Sequence, residues 1–268
     1  MTYPVGMDSP ADWTRQLVNR RGALGLLGAA GAAVLAACGA KNSNGSGSTD
    51  STSAPVDTTA VDTTPAETGG PFPSDGTNTN GSGGKADILH DARAFRRDIR
   101  SDLDGRNKQD GTDLDLQVTV VDTAGKAREG VAVYVWHCNA DGAYSGYSAA
   151  MSNVDHGKNS FLRGVQVTDK DGNAKFTTIV PGRYSGRAFH IHFEVWDSKK
   201  LGSLMLTSQM ASNDDAIEQI YTEIGYGKAL AAVTHNAQDN VFSDGMDRQM
   251  ITWAKVDGKY AAYFNAVT

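Results

Sequence analysis

The stretch that decides how this chain reads is Pro181-Gly182-Arg183-Tyr184-Ser185-Gly186-Arg187-Ala188-Phe189-His190-Ile191-His192-Phe193-Glu194-Val195. Residues two apart on a strand project to one face, so His190 and His192 stand side by side while Ile191, Phe193 and Val195 turn to the other face as core. Two neighbouring imidazoles can reach one metal ion. A His-x-His pair is by itself ambiguous, and Tyr184 and Arg187, just upstream after a Pro-Gly turn, narrow it. A phenol, with a reference pKa of about 10, is a poor ligand until a hard, highly charged cation displaces its proton. Tyr184 with His190 and His192 therefore points to Fe(III) more than to zinc, a choice that ligand type alone leaves open.

Working outward, the flanking sequence has the period of strands. Leu114, Leu116, Val118 and Val120 alternate with polar residues up to a turn at Asp122-Thr123-Ala124-Gly125, and Val131, Val133 and Val135 alternate likewise. Gly164 to Thr168, Ala174 to Ile179, His190 to Asp197 and Leu204 to Met210 are further strand candidates. Asp169-Lys170-Asp171-Gly172 resembles the start of a calcium loop but lacks the later ligands, so it is read as a turn. Short strands separated by turns predict an all-β domain, a sandwich of mixed topology with long loops. A formal charge of -6 leaves no basic surface for phosphate, which excludes DNA and RNA as partners.

The N-terminal third has another character. Arg20-Arg21 precede an apolar run from Ala23 to Ala37 that ends in Leu35-Ala36-Ala37-Cys38. That run is short for a membrane span and suits a signal peptide, with the twin arginines pointing to export in a folded state. The four residues ending in Cys38 resemble a bacterial lipobox, so residues 1–38 are expected to be a signal that leaves a lipidated Cys38 as the membrane contact. Residues 39–84, rich in Ser, Thr, Gly, Asn, Asp and Pro, are expected to be a disordered tether, since they bury too little to offset ordering entropy. Residues 85–268 form the expected domain. Cys138 is the other cysteine in the sequence, so lipidation of Cys38 would leave it without a disulfide partner.

Several segments together resemble the intradiol ring-cleavage dioxygenases, the family of catechol 1,2- and protocatechuate 3,4-dioxygenases, and in particular its exported bacterial branch. They are Arg97-Asp98-Ile99-Arg100, Val135-Trp136-His137-Cys138 with Gly142-Ala143-Tyr144-Ser145, Phe161 to Gln166, Thr178 to Tyr184, the Gly186-Arg187 to Phe193 run, and Val241-Phe242-Ser243-Asp244-Gly245. The resemblance implies an Fe(III) enzyme that splits a small aromatic diol with O2 to a muconate-type diacid. It implies that Tyr184 is a displaceable tyrosinate ligand that takes a substrate proton, that His190 and His192 are the histidine ligands, that Arg187 stabilises charge on the substrate, and that Gln209 is the active-site glutamine.

One position departs from the pattern. The resemblance places the family's first tyrosinate in the segment Glu67-Thr68-Gly69-Gly70-Pro71-Phe72-Pro73, where Phe72 has no oxygen to offer. Three readings stay open: three protein ligands completed by solvent or substrate, a substitute such as Tyr144 or Tyr147, or a degraded site in a non-catalytic surface binding module. The resemblance puts Tyr144 outside the ligand set and His137 at a strand end as a packing residue. His156 and His235 are expected to be ordinary surface histidines. The sequence leaves the oligomeric state open.

Overall fold

The structure is a computed structural model that describes residues 61–152 and 154–268. The signal segment, Cys38 and the tether as far as residue 60 lie outside the described residues. Two four-stranded sheets carry the domain. The first has β6 (Asn173–Ile179), β3 (Asp113–Val121), β10 (Lys259–Val267) and β9 (Thr252–Val256) in that order; the second has β5 (Arg163–Val167), β4 (Ala132–Trp136), β7 (His190–Trp196) and β8 (Leu204–Ala211). β10 runs parallel to β3 while the other neighbours pair antiparallel, which gives the mixed topology the sequence predicts. A hairpin of β1 (Asp75–Thr79) and β2 (Lys85–Asp87) stands beside them.

The core lies between the sheets because alternation puts one apolar face of each strand there. Leu114, Leu116, Val118 and Val120 of β3 meet Val133 and Val135 of β4 and Ile191, Phe193 and Val195 of β7. The even positions of β7 emerge on the opposite face of the second sheet, among Tyr134, Trp136 and Tyr144 rather than in the sandwich core. The register Trp136↔His192↔Gln209 sets three large polar or aromatic side chains in one row across that face. Helix α1 (Asp214–Ile224) follows β8; the Asn213 side chain caps its N-terminus by accepting from Ala216 N at 3.0 Å. Its Tyr221 hydroxyl donates to Pro181 O at 3.0 Å, which braces the turn leading to Tyr184.

The expected tether is corrected over its second half: residues 61–84 belong to the domain. Val61 N donates to Thr123 O, Thr64 N to Val267 O, and Glu67 N to Thr207 O. Ser208 Oγ donates to Pro65 O at 2.6 Å. Polar composition suggested disorder, but the segment is ordered by pairing with strand edges, which needs backbone groups rather than large apolar side chains.

Candidate metal centre

The site lies on the outer face of the second sheet, where Pro181-Gly182 delivers Tyr184 beside β7. A Cβ on Gly182 would sit 2.3 Å from Ala140 O, so only glycine lets the loop carrying Tyr184 press against the loop carrying Tyr144. The Tyr144 hydroxyl lies 3.0 Å and the Tyr184 hydroxyl 3.2 Å from the same atom, His190 Nε2. Arg187 Nη1 is 3.5 Å from that nitrogen as well. His190 and His192 stand with ring centroids 4.9 Å apart and planes at 90°. Tyr184, His190, His192 and Arg187 are thus brought together, and Gln209 joins them by accepting from Arg187 Nη2 at 2.6 Å.

Tyr144 is the residue the sequence reading set aside. Its hydroxyl occupies the cluster, while Phe72 lies stacked against its ring at 4.9 Å and 24°. A phenol from a different loop thus stands beside Phe72 and reaches the histidines. Tyr147 is not in the cluster: its hydroxyl accepts from Ser74 N at 2.8 Å and donates to Asn78 Oδ1 at 3.0 Å. Asp239, also missed, holds Arg187: both carboxylate oxygens accept from Nε, at 3.0 and 2.8 Å, and one also accepts from Ala188 N at 2.9 Å. The signal for Asp239 lay in its place just before the Val241–Gly245 segment.

Each imidazole is set by its surroundings. His190 Nδ1 donates to Ala188 O at 2.8 Å, which leaves the Nε2 lone pair facing the phenols. His192 is stacked on Trp136 at 4.9 Å with planes 4° apart, and Gly70, at φ +68°, crosses its other side so closely that a Cβ there would be 3.3 Å from Cε1. His192 Nδ1 is buried without a hydrogen-bond partner. Burial holds the His190 imidazolium down to about 3 and that of His192 well below the usual histidine range, so both rings are neutral bases at ordinary pH. Burial pushes both phenols up, Tyr144 the further. Without a strong positive charge among them they keep their protons.

These residues fit a hard cation. The single lone pair of His190 Nε2 can accept one hydrogen bond, yet three potential donors face it within 3.5 Å. Separations of 3.0 and 3.2 Å are also the spacing that donors bound at about 2.0–2.1 Å to a common ion keep at right or slightly wider angles, about 2.9–3.3 Å. Among the described residues no three His, Cys, Asp or Glu side chains are grouped as metal ligands, so an ion at this place would need the phenols as well as the two imidazoles.

The remaining histidines stay apart from the donors. His137 is buried at the end of β4, donating from Nδ1 to Cys138 O at 2.8 Å while Nε2 accepts from Thr178 Oγ1 at 2.7 Å. His156 is half-buried against Phe161, and exposed His235 meets Glu218 at 3.1 Å. Glu194, next on the imidazole face, has its carboxyl pushed up by burial to about 7 and accepts from Trp196 Nε1 at 3.0 Å. A cavity of about 400 Å³ elsewhere is lined by Asp87, Asp102 and Arg106 and touches none of the donors. The Asp102 carboxylate there is already used by Ser160 N, Asn107 Nδ2 and Asn159 Nδ2.

The sandwich has counterparts among known dioxygenases. The sequence pattern of the family described as Dioxygenase matches residues 89–253, more than half of the chain. The chain belongs to this family, that of the intradiol ring-cleavage dioxygenases. It is 28% identical over 109 residues to a catechol 1,2-dioxygenase of a Pseudomonas species, an alignment covering 34% of each protein, so the match spans about a third of that relative's length. The fold is shared with an intradiol ring-cleavage dioxygenase from Tetranychus urticae, at 24% identity and a TM-score of 0.55 over 65% of this chain and 85% of that one. It is also shared with the dioxygenase domain of a dioxygenase carbohydrate-binding protein fusion from Streptomyces sp. SirexAA-E, at 21% identity and a TM-score of 0.50 over 77% and 98%.

Proposed function

We propose that this domain cleaves a catechol-type ring with O2 between its two hydroxylated carbons, adding both oxygen atoms to give a muconate-type diacid, with Fe(III) held by Tyr144, Tyr184, His190 and His192. The observation that carries this reading is the convergence of two buried phenols on one imidazole nitrogen. The ion supplies Lewis acidity and a template that opens the diol ring to O2. The chain's own residues do the rest. Tyr144, fully buried under Phe72, is the fixed phenol, whereas Tyr184 is half-buried on a loop and is free to swing out. Tyr184 is therefore the group that takes a proton from a diol hydroxyl at its Oη. Arg187 Nη1 faces the place where charge develops on the diol, and Asp239 and Gln209 hold it there before substrate arrives. The segment Gly69–Phe72 covers His192 and Tyr144 and keeps water from that side. The reading of the domain as a non-catalytic binder drew on Phe72 and on the long tether, and the Tyr144 hydroxyl beside His190 weighs against the first of these.

Iron reconstitution tests the proposal. A visible phenolate-to-iron absorption band is expected, shifting when catechol is added without oxygen, with oxygen uptake and a ring-opened diacid on aeration. A colourless protein that binds no iron would overturn it. We also propose that the protein is exported and tethered through a lipidated Cys38, on the strength of Arg20-Arg21, the apolar run to Ala37 and the lipobox-like residues. Fatty-acid labelling that is lost in Cys38→Ala is the expected result.

A further inference from the structure

We infer that Arg163 is the positioning residue of the fixed phenol, a buried clamp that holds the Tyr144 loop and the segment Gly69–Phe72 in place for the metal; this rests on the iron reading above. Arg163 opens β5 on the same face of the sheet as the donors, since the register Arg163↔Trp136↔His192 puts it in one row with them. Its guanidinium is fully buried and makes four hydrogen bonds. Nε donates to Ser145 Oγ at 3.0 Å, Nη2 to Ser145 O at 2.8 Å, and Nη1 to Pro73 O at 2.9 Å and to Tyr134 Oη at 3.3 Å. Ser145 follows Tyr144 in the chain, and Pro73 follows Phe72. One side chain therefore grips the neighbours of both rings in the Phe72–Tyr144 stack.

The acceptors are themselves held. Tyr134 Oη donates to the same Pro73 O at 2.9 Å, and Ser145 Oγ donates to Phe161 O at 2.6 Å. The cation also lies 5.9 Å from the centroid of the Tyr144 ring and 5.7 Å from that of Tyr147, close enough to attract both ring faces. Arg183, the other buried arginine among the described residues, reaches the Glu218 carboxylate at 3.4 Å, whereas all four bonds of Arg163 end on neutral oxygens. A buried charge without a counterion is costly, and an apolar side chain of similar volume would fill the space at less cost. What an apolar side chain cannot do is hold two segments with one rigid fork of donors. Tyr184 is fixed by other means: Tyr221 braces its loop at Pro181 O, and no hydrogen bond of Arg163 reaches that loop. Arg163 thus acts on one of the two phenols.

Iron affinity of the full chain, read by competition with citrate, tests this as a double-mutant cycle. Arg163→Met is expected to weaken iron binding about tenfold in the wild-type background and by the same factor in Tyr184→Phe. In Tyr144→Phe, where the phenol it positions is gone, the loss should shrink to less than about twofold. A merely structural role costs the same in all three backgrounds. That result, an unchanged affinity in the wild-type background, or a loss that also disappears in Tyr184→Phe overturns the assignment while leaving the iron reading intact. Far-UV circular dichroism of the iron-free proteins checks the fold. Should Arg163→Met not fold, Arg163→Lys, which keeps the charge and loses the fork, goes through the same cycle with the same pattern expected at about threefold; wild-type affinity in Arg163→Lys overturns the clamp. A wild-type protein that binds no iron overturns both readings.

Discussion

Tyr144 and Tyr184 come from loops 40 residues apart and direct their hydroxyls at one atom, His190 Nε2, from 3.0 and 3.2 Å. The two phenols are not equivalent. Tyr144 is pinned between Phe72 and the rest of the cluster, and Tyr184 has solvent on one side. Removing the first should therefore damage the metal site itself, and removing the second should damage what happens there.

Tyr144→Phe keeps the stack on Phe72 and loses one donor. Iron retention after gel filtration should fall at least tenfold. Tyr184→Phe should retain iron better, with a weaker visible band, and should lose turnover by about 100-fold because the proton acceptor is gone. Equal iron loss in the two variants would remove the distinction between a fixed and a mobile phenol.

Much of this site was legible because strand periodicity is local. Alternation alone set His190 and His192 on one face and Ile191, Phe193 and Val195 on the other, and six strands from β3 to β8 follow from the same period. Tyr144 was not legible in that way, since its place depends on two loops packing at Gly182, a contact with no periodic signature. β10 was missed for a related reason. It lies between β3 and β9 with Tyr260, Ala262, Phe264 and Ala266 turned to the core, but Ala261 and Tyr263 on its other face are also apolar and the inward residues include two alanines, so the alternation is blurred in the sequence. The segment from Val61 to Ser74 reads as linker by composition because what orders it is backbone pairing.

Asp239 acts through Arg187, so its loss should be a loss of orientation. Asp239→Asn keeps the shape and removes the charge on Nε; kcat for catechol should fall about tenfold, with a smaller change in KM, since the guanidinium is needed most as charge develops. Lysine at position 187 should not restore the wild-type rate, because an ammonium cannot hold Asp239, Gln209 and the cluster together. A wild-type kcat in Asp239→Asn would mean that Gln209 alone fixes Arg187.

Gly70→Ala tests the strap against His192. The residue has φ +68°, and its added methyl would press on Cε1 from 3.3 Å. A left-handed alanine costs about 1–2 kcal/mol, so the urea midpoint of the iron-free protein should drop by a corresponding amount. Iron affinity should weaken as well, because His192 has to shift. An unchanged midpoint with unchanged iron affinity would show that the strap lifts from the site without cost.

Part of the acid sensitivity can be traced to a third buried ring, His137, which lies outside the donor set. Burial holds the His137 imidazolium down to about 4, against about 6.5 in an unfolded chain. Between these values the unfolded chain binds more protons than the folded one, so stability rises with pH through that window and is lost as pH falls from about 6.5 toward 4. The contribution of His137 to that loss is about 2–3 kcal/mol. His137→Asn should be less stable at neutral pH, having lost the contact with Thr178, but its stability should fall less steeply on acidification. His190 and His192 titrate in both iron-free proteins, so the difference between the two slopes, not either slope alone, reports position 137. Denaturant unfolding at pH 7, 5.5 and 4.5 gives the two slopes, and parallel curves for wild type and variant would show that His137 is already charged, or already exposed, in the folded protein.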